Sequence, residues 1–214
     1  MYVTLHRRLK EFKDTVGLYI FTLDLITKNY PVITAVDGLP YDCFALTPCS
    51  TATGGVVILA SNAVLFVDQS GRRVALPVNG WPPRVSDLQM PSTTPQDQER
   101  NLQLEGTHFT FVDEKTFFLF LRDGSVYPVE LVQDGKTVSR LSMGAGLART
   151  TIPSVVKRIA EDHVFVGSMV GPSVLLKTVR VEEELKDEDV EMSGPAAVVD
   201  TAKDADMMDD DEGK

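Results

Sequence analysis

Apolar residues in this chain are grouped in short clusters, and in several clusters every second side chain is apolar. Residues 19–25, 74–79 and 127–131 show this alternation most clearly. Successive side chains of a β-strand point to opposite faces, so a period of two is typical of a strand with one buried face. We therefore predict a half-buried strand at each of these three places.

Between the clusters lie dipeptides that favour tight turns. Glycine, and to a smaller extent asparagine or aspartate, supplies the positive φ that hairpin turns require. The clearest hairpin spans residues 115–131, where two apolar strands fold about a central turn. No helix is predicted before residue 182, so the predicted fold class is all-β. The turn dipeptides are Asp37-Gly38, Ser70-Gly71, Asn79-Gly80, Asp123-Gly124 and Asp134-Gly135.

A strand-turn-strand unit recurs along the chain. Residues 56–67, 117–131 and 164–179 each contain one such unit, and the first interval includes a loop at 80–100 that is rich in Pro, Ser, Thr and Gln and has no period. With allowance for this loop, the spacing approaches the roughly 40–50 residues of a β-propeller blade. A β-sandwich also has many short strands separated by turns. The pattern favours a partial propeller of several antiparallel blades over a sandwich.

Charge divides the chain into regions. The net charge is −10, yet residues 182–214 contain fourteen acidic and three basic residues, so residues 1–181 are almost neutral. A polar, highly charged composition is typical of disordered segments. We predict an N-terminal segment at 1–16, the partial propeller at 17–181 and an acidic, disordered tail at 182–214.

The cysteines and histidines do not indicate a metal site. Cys43 and Cys49, with His6, His108 and His163, do not provide the four closely paired ligands of structural zinc. No apolar segment typical of a secretory signal follows the basic N-terminus, so reduced thiols are expected rather than a disulfide. The longest apolar runs have five residues, whereas a membrane-spanning helix needs about 20. No membrane association is expected.

Catalytic motifs are also not indicated. Residues 144–146 have the sequence Gly-Ala-Gly but lack the lysine and the following helix of a phosphate-binding loop. Residues 167–171 differ from a nucleophile elbow because Met169 occupies the central position. The acidic pairs at 113–114 and 161–162 lie between apolar strands, where exposed turns usually carry acids. We assign no catalytic, cofactor-binding or metal-binding residue.

Trp81 and Arg84 are the candidate partner-contact residues, in the loop that begins Gly80-Trp81-Pro82-Pro83. Three interpretations fit this tryptophan. It stacks on a nucleic-acid base beside Arg84, it anchors a protein partner, or it packs against the edge of a sheet. Packing is the favoured interpretation because it is the most frequent role of a tryptophan. The near-neutral charge of residues 1–181 disfavours binding to phosphates.

Several blocks of the sequence resemble one known family. The stretch from Leu18 to Gln69 resembles the large scaffold subunit of the cleavage and polyadenylation specificity factor, and residues 72–81 resemble its fungal form. The resemblance is colinear over residues 13–181, which makes it more specific than any single motif. The matching blocks are Leu18–Leu25, Tyr30–Ile33, Leu39–Cys43, Gly54–Asn62, Val67–Ser70, Arg72–Trp81, Phe165–Ser168, Gly171 and Ser173–Lys177.

The resemblance implies a non-enzymatic β-propeller subunit of the nuclear pre-mRNA 3′-end processing complex, with no cofactor. In that family the subunit holds the zinc-finger and WD-repeat subunits that read the poly(A) signal and links them to the nuclease module, so contact with pre-mRNA is expected to be indirect. Family members are several times longer, and the chain is expected to be a portion of the N-terminal propeller with the start of an acidic insert. The wider group includes a ubiquitin-ligase adaptor for DNA damage and a splicing-factor subunit, but the blocks at 39–43 and 54–62 favour the polyadenylation branch.

Overall fold

The computed structural model describes residues 2–10, 13–86 and 88–180. These residues form mainly β-strands, with two short helices, α1 (Pro82–Val85) and α2 (Pro95–Arg100), in one connection. The strands are β1 (Tyr2–Lys10), β2 (Lys13–Phe21), β3 (Val32–Leu39), β4 (Cys43–Pro48), β5 (Val56–Ala60), β6 (Ala63–Val67), β7 (Arg73–Pro77), β8 (His108–Phe111), β9 (Thr116–Phe120), β10 (Ser125–Asp134), β11 (Thr137–Met143), β12 (Ala148–Arg149), β13 (Val155–Ala160), β14 (His163–Gly167) and β15 (Val174–Lys177).

The strands form four antiparallel sheets that follow one another along the chain. Sheet A contains β1, β2 and β3, sheet B contains β4 to β7, sheet C contains β8 to β11, and sheet D contains β13, β14 and β15. Within each sheet, strands that are consecutive in sequence are hydrogen-bonded neighbours, and the short β12 pairs with β10. Such a meander of short antiparallel strands is the architecture of a propeller blade.

Apolar side chains are buried between each sheet and the next. One cluster joins sheets A and B, a second joins B and C, and a third joins C and D. In the second cluster, the fully buried ring of Phe117 lies 5.3 Å from that of Phe111 and 6.0 Å from that of Phe109. Sheets B and C are therefore each packed against a neighbouring sheet on both faces. In a two-sheet sandwich, each sheet is packed on one face only. The prediction of an all-β, partial propeller is confirmed.

The predicted hairpins at 115–131 and 56–67 are confirmed. Strands β9 and β10 pair from Val126 opposite Phe120 to Glu130 opposite Thr116. Strands β5 and β6 form the other hairpin, and every residue in both is buried. Turn residues and apolar runs were sufficient to predict these two hairpins, because both signals are local in sequence.

Other local predictions were wrong. The chain has two short helices in the 80–100 loop, where none was predicted. Asp37-Gly38 lies inside β3, and Asn79-Gly80 leads into that loop, so neither forms a hairpin turn. The predicted strand at 19–25 ends at Phe21 because the side chain of Asp24 binds the backbone of the following turn.

Strand β1 and the first residues of β2 occupy the N-terminal region for which the sequence predicted no strand. Their register runs from Tyr2 opposite Phe21 to Lys10 opposite Lys13. The acidic tail predicted at 182–214 lies outside the described residues. Cys43 and Cys49 are free thiols, as expected. None of the described helices is long and apolar enough to cross a membrane.

Candidate protein-docking surface

The connections between successive sheets meet the β5–β6, β9–β10 and β14–β15 turns at one end of the sheets. The amide N–H of Leu104 donates to the carbonyl of Ser61 (2.8 Å), and that of Thr150 donates to the carbonyl of Gly124 (2.8 Å). We call this end the connector face. Among the described residues it comprises 40–42, 61–62, 78–86, 88–107, 121–124, 144–154 and 168–173.

A buried asparagine determines the geometry of the 80–100 loop. Asn79 is fully buried, and its side-chain amide donates to the Oδ1 of Asn62 (3.0 Å) and to the carbonyl of Leu102 (2.6 Å). Its own Oδ1 accepts the N–H of Trp81 (2.9 Å), and its carbonyl accepts the hydroxyl of Thr93 (3.2 Å). A buried amide with all these partners is well satisfied. Asn79 thus holds both ends of the loop together.

Trp81 and Arg84, the pair predicted from sequence, lie against each other. Helix α1 places Arg84 one turn after Trp81, and the N–H of Arg84 donates to the carbonyl of Trp81 (2.9 Å). The guanidinium carbon lies 4.9 Å from the centre of the indole, which is a cation–π distance. Half of the tryptophan surface (50%) is exposed. The other half of the ring is covered by the chain, so the three interpretations of Trp81 remain predictions.

A second apolar group on the connector face was missed by sequence reasoning. Met169 and Val170 are 89% and 73% exposed at the tip of the β14–β15 turn. The turn is held in place because the N–H of Met169 donates to the hydroxyl of Ser154 (3.1 Å) and the N–H of Val170 donates to that of Ser168 (3.3 Å). The available signal in the sequence was the pair of apolar residues between Gly167 and Gly171.

Further exposed apolar side chains lie on the connector face. Ile152 and Leu147 are about half exposed in the connection from sheet C to sheet D, and Tyr41 is similarly exposed in the connection from A to B. Contiguous exposed apolar side chains are typical of protein interfaces. Aromatic residues and arginine are also the residue types most enriched at their energetic centres.

A cavity of about 360 Å³ separates the end of the 80–100 loop from the β9–β10 turn. Partial burial acts to raise the pKa of Asp123, but hydrogen bonds from the backbone and hydroxyl of Ser125 outweigh it and lower that pKa. Asp123 is therefore an ionised residue that stabilises the turn. The cavity contains charges of both signs and is lined by Arg100, Asn101, Leu102, Gln103, Glu105, Leu121, Arg122 and Asp123.

The acidic pairs considered from sequence lie in turns, as expected. Asp113 accepts the N–H groups of Lys115 (2.8 Å) and Thr116 (2.7 Å). Asp162 lies 2.6 Å from the Nδ1 of His163, and this hydrogen bond lowers the pKa of Asp162. In the part of the chain that the structure describes, no three His, Cys, Asp or Glu side chains are grouped to hold a metal ion.

Comparisons with known proteins agree with the resemblance seen in the sequence. No protein-family model matches the chain. Protein cft1 of Schizosaccharomyces pombe is 34% identical over 181 residues, covering 78% of this chain and 12% of that protein. Protein CFT1 of Yarrowia lipolytica is 31% identical over 183 residues, covering 83% of this chain and 14% of the relative.

An animal protein matches a similar share of the chain. Cleavage and polyadenylation specificity factor subunit 1 of Drosophila melanogaster is 27% identical over 169 residues, covering 79% of this chain and 11% of that protein. The chain therefore spans about an eighth of the length of these relatives. The predicted family resemblance is confirmed over the matched residues.

Proposed function

Because this chain is homologous to a segment of the Cft1 and cleavage and polyadenylation specificity factor subunit 1 proteins, we propose that it acts in pre-mRNA 3′-end processing in the nucleus. Its role there is that of a non-enzymatic scaffold. A propeller suits this role because its blades form a rigid frame whose loops remain available for contacts.

The observation that carries this proposal is the exposed Trp81–Arg84 pair on the connector face. The indole is half exposed, the backbone N–H of Trp81 donates to the side chain of the buried Asn79, and the ring is covered on one side by the guanidinium of Arg84. Side chains that are fixed before binding lose little entropy when a partner docks. Together with the exposed Met169 and Val170, the pair forms a prearranged protein-docking surface.

The proposed partners are other subunits of the cleavage and polyadenylation complex. They are the zinc-finger and WD-repeat subunits that read the poly(A) signal, and the nuclease module. Contact with pre-mRNA is indirect, since residues 1–181 are almost neutral and phosphate binding requires a surplus of lysine and arginine.

The test is purification of the tagged chain from nuclear extract treated with ribonuclease. We expect subunits that bind the poly(A) signal to co-purify, and to do so without RNA because the contacts are between proteins. Co-purification of a cullin ubiquitin ligase, or complete loss of the complex after ribonuclease treatment, would contradict the proposal.

A further inference from the structure

The tip of the β2–β3 hairpin and the start of β3 expose five large apolar side chains. Leu25 and Ile26 are 78% and 93% exposed, and Tyr30, Val32 and Ile33 are each more than half exposed. A single exposed leucine is ordinary on a protein surface. Five large apolar side chains exposed within nine positions of one hairpin are more than scattered surface residues and indicate an interaction site. We call these five residues the hairpin patch.

The backbone that carries this patch has a defined conformation. The Oδ1 of Asp24 accepts the N–H groups of Ile26 (2.9 Å) and Thr27 (3.3 Å), and its Oδ2 accepts the hydroxyl of Thr27 (2.6 Å). The N–H of Asp24 donates to the carbonyl of Asn29 (3.1 Å), which closes the turn, and Lys28 adopts a left-handed φ of 54°. The hydrogen bonds from Thr27 and Ile26 also lower the pKa of Asp24. The apolar side chains are thus displayed on an ordered turn.

The hairpin patch lies away from the connector face. Strand β3 leads from the patch to the connection at 40–42, and its eight residues span about 26 Å. Near the start of β3, the hydroxyl of Thr34 donates to the carbonyl of Gln69 (2.7 Å), beside the β6–β7 turn. The patch is therefore at the other end of sheet A from the connection that helps to form the connector face.

The charges at the tip indicate the kind of surface that it fits. Residues 22–33 contain one carboxylate, Asp24, and one cation, Lys28. The carboxylate is already bound by three groups within the turn, whereas Lys28 is exposed. A partner that covers the aliphatic side chains must therefore be apolar, and a carboxylate at its rim would pair with Lys28.

We propose that the hairpin patch docks into an apolar groove with an acidic rim on a partner protein. This inference rests on the proposed scaffold function and adds to it a second docking surface, remote from Trp81. One cation is too few for a nucleic-acid or anionic-membrane surface, each of which is recognised by several lysines or arginines. Tyr30 supplies the aromatic residue that protein interfaces favour.

The first test is a pair of double variants of the chain. Leu25→Asp with Ile26→Asp places two charges in the patch, and Lys136→Asp with Thr137→Asp places two at the exposed β10–β11 turn, outside the patch. Because the four side chains are exposed, both proteins should melt at the wild-type temperature. We expect the amount of one co-purifying protein to fall to at most a tenth of the wild-type amount with the patch variant, and to stay at the wild-type amount with the control variant. Equal retention by both variants would overturn the inference.

The second test identifies the chemistry of the partner. A photo-crosslinking amino acid replaces Ile26 in the chain, with replacement of Lys136 as the control, and the crosslinked peptides are sequenced by mass spectrometry. We expect a protein peptide with several apolar residues and a nearby aspartate or glutamate, and Lys28→Glu should reduce its yield at least threefold. Crosslinks to RNA, to lipid or to a second copy of this chain would overturn the inference.

These outcomes are separable from those of the proposed function. If the Ile26 crosslink reaches a groove of the expected chemistry on a protein outside 3′-end processing, the docking surface is supported and the proposed function is contradicted. If polyadenylation subunits co-purify equally with the wild type and the patch variant, and Ile26 gives no crosslink above the control, the proposed function stands and the docking surface is refuted.

Discussion

The side-chain amide of Asn79 lies 2.6 Å from the carbonyl oxygen of Leu102, which is 23 positions further along the chain. This bond joins the two ends of the loop that carries Trp81, and the same side chain holds the N–H of Trp81. The loop is long, but its ends are held as closely as those of a tight turn. The position of the exposed indole therefore depends on a residue that is itself fully buried.

Asn79→Ala should destabilise the chain by about 3 kcal/mol, because the Oδ1 of Asn62, the carbonyl of Leu102 and the backbone N–H of Trp81 would each lose a hydrogen-bond partner. Urea denaturation measures this change. Asn29→Ala, at an exposed asparagine, is the control and should change the free energy of unfolding by less than about 0.5 kcal/mol. Equal changes in the free energy of unfolding for the two substitutions would show that the hydrogen bonds of Asn79 do not stabilise the chain.

Trp81→Ala should weaken binding of the co-purifying partner by about 2 kcal/mol or more, roughly thirtyfold. Because the indole is half exposed, the free energy of unfolding should fall by about 1 kcal/mol or less. Tyr2→Ala, which removes a similarly exposed ring outside the connector face, should leave the affinity unchanged. A stability loss of about 3 kcal/mol with normal affinity would mean that Trp81 is a packing residue.

Gly124→Ala should destabilise sheets C and D more than Gly135→Ala. Both glycines have a left-handed φ, 86° and 60°, so either substitution costs about 1–2 kcal/mol in backbone strain. A Cβ at Gly124 would also lie 2.1 Å from the carbonyl oxygen of Thr150, whereas one at Gly135 meets nothing within 4 Å. We expect Gly124→Ala to cost roughly 2 kcal/mol more by urea denaturation. Identical costs would contradict the close approach of Thr150.

Acid should reduce the stability that Asp123 contributes to the β9–β10 turn. Its pKa in the folded chain is lowered from 3.8, so its contribution is complete above that value and is lost as the pH falls through the lower folded pKa. Asp123→Asn should therefore flatten the decline in the urea midpoint below about pH 4. The difference should stay under about 1 kcal/mol because solvent screens this charge. An unchanged pH dependence would exclude the contribution.

The two thiols should react slowly in the folded chain. Burial raises the pKa of Cys43 to about 12, with a smaller effect from Asp42, and burial alone raises that of Cys49 to about 12. Since the thiolate is the reactive form, Ellman's reagent at pH 8 should label the native chain at least about a hundredfold more slowly than the chain in urea. Rapid labelling of either cysteine before unfolding would be the contrary result.

The sequence by itself determined the all-β fold class and two of the local hairpins. The five buried residues of β5, the five of β6 and the turn at Asp123-Gly124 were all visible, because period, apolar runs and the φ of a turn residue are local properties. The colinear blocks from Leu18 onward also identified the family, which the comparisons confirm. None of these signals requires knowledge of which strands meet in space.

Only the tertiary structure decided what the polar residues do. Asn79-Gly80 has the local chemistry of a turn, but the partners of Asn79 are Asn62 and Leu102, which the fold brings from distant positions. The exposure of Trp81 likewise depends on how the loop ends are held, and sequence left its three interpretations open. Local propensity is weak compared with burial and hydrogen bonding in the folded chain. For that reason the sequence located the candidate pair, and the packing of sheets B and C placed it on the surface.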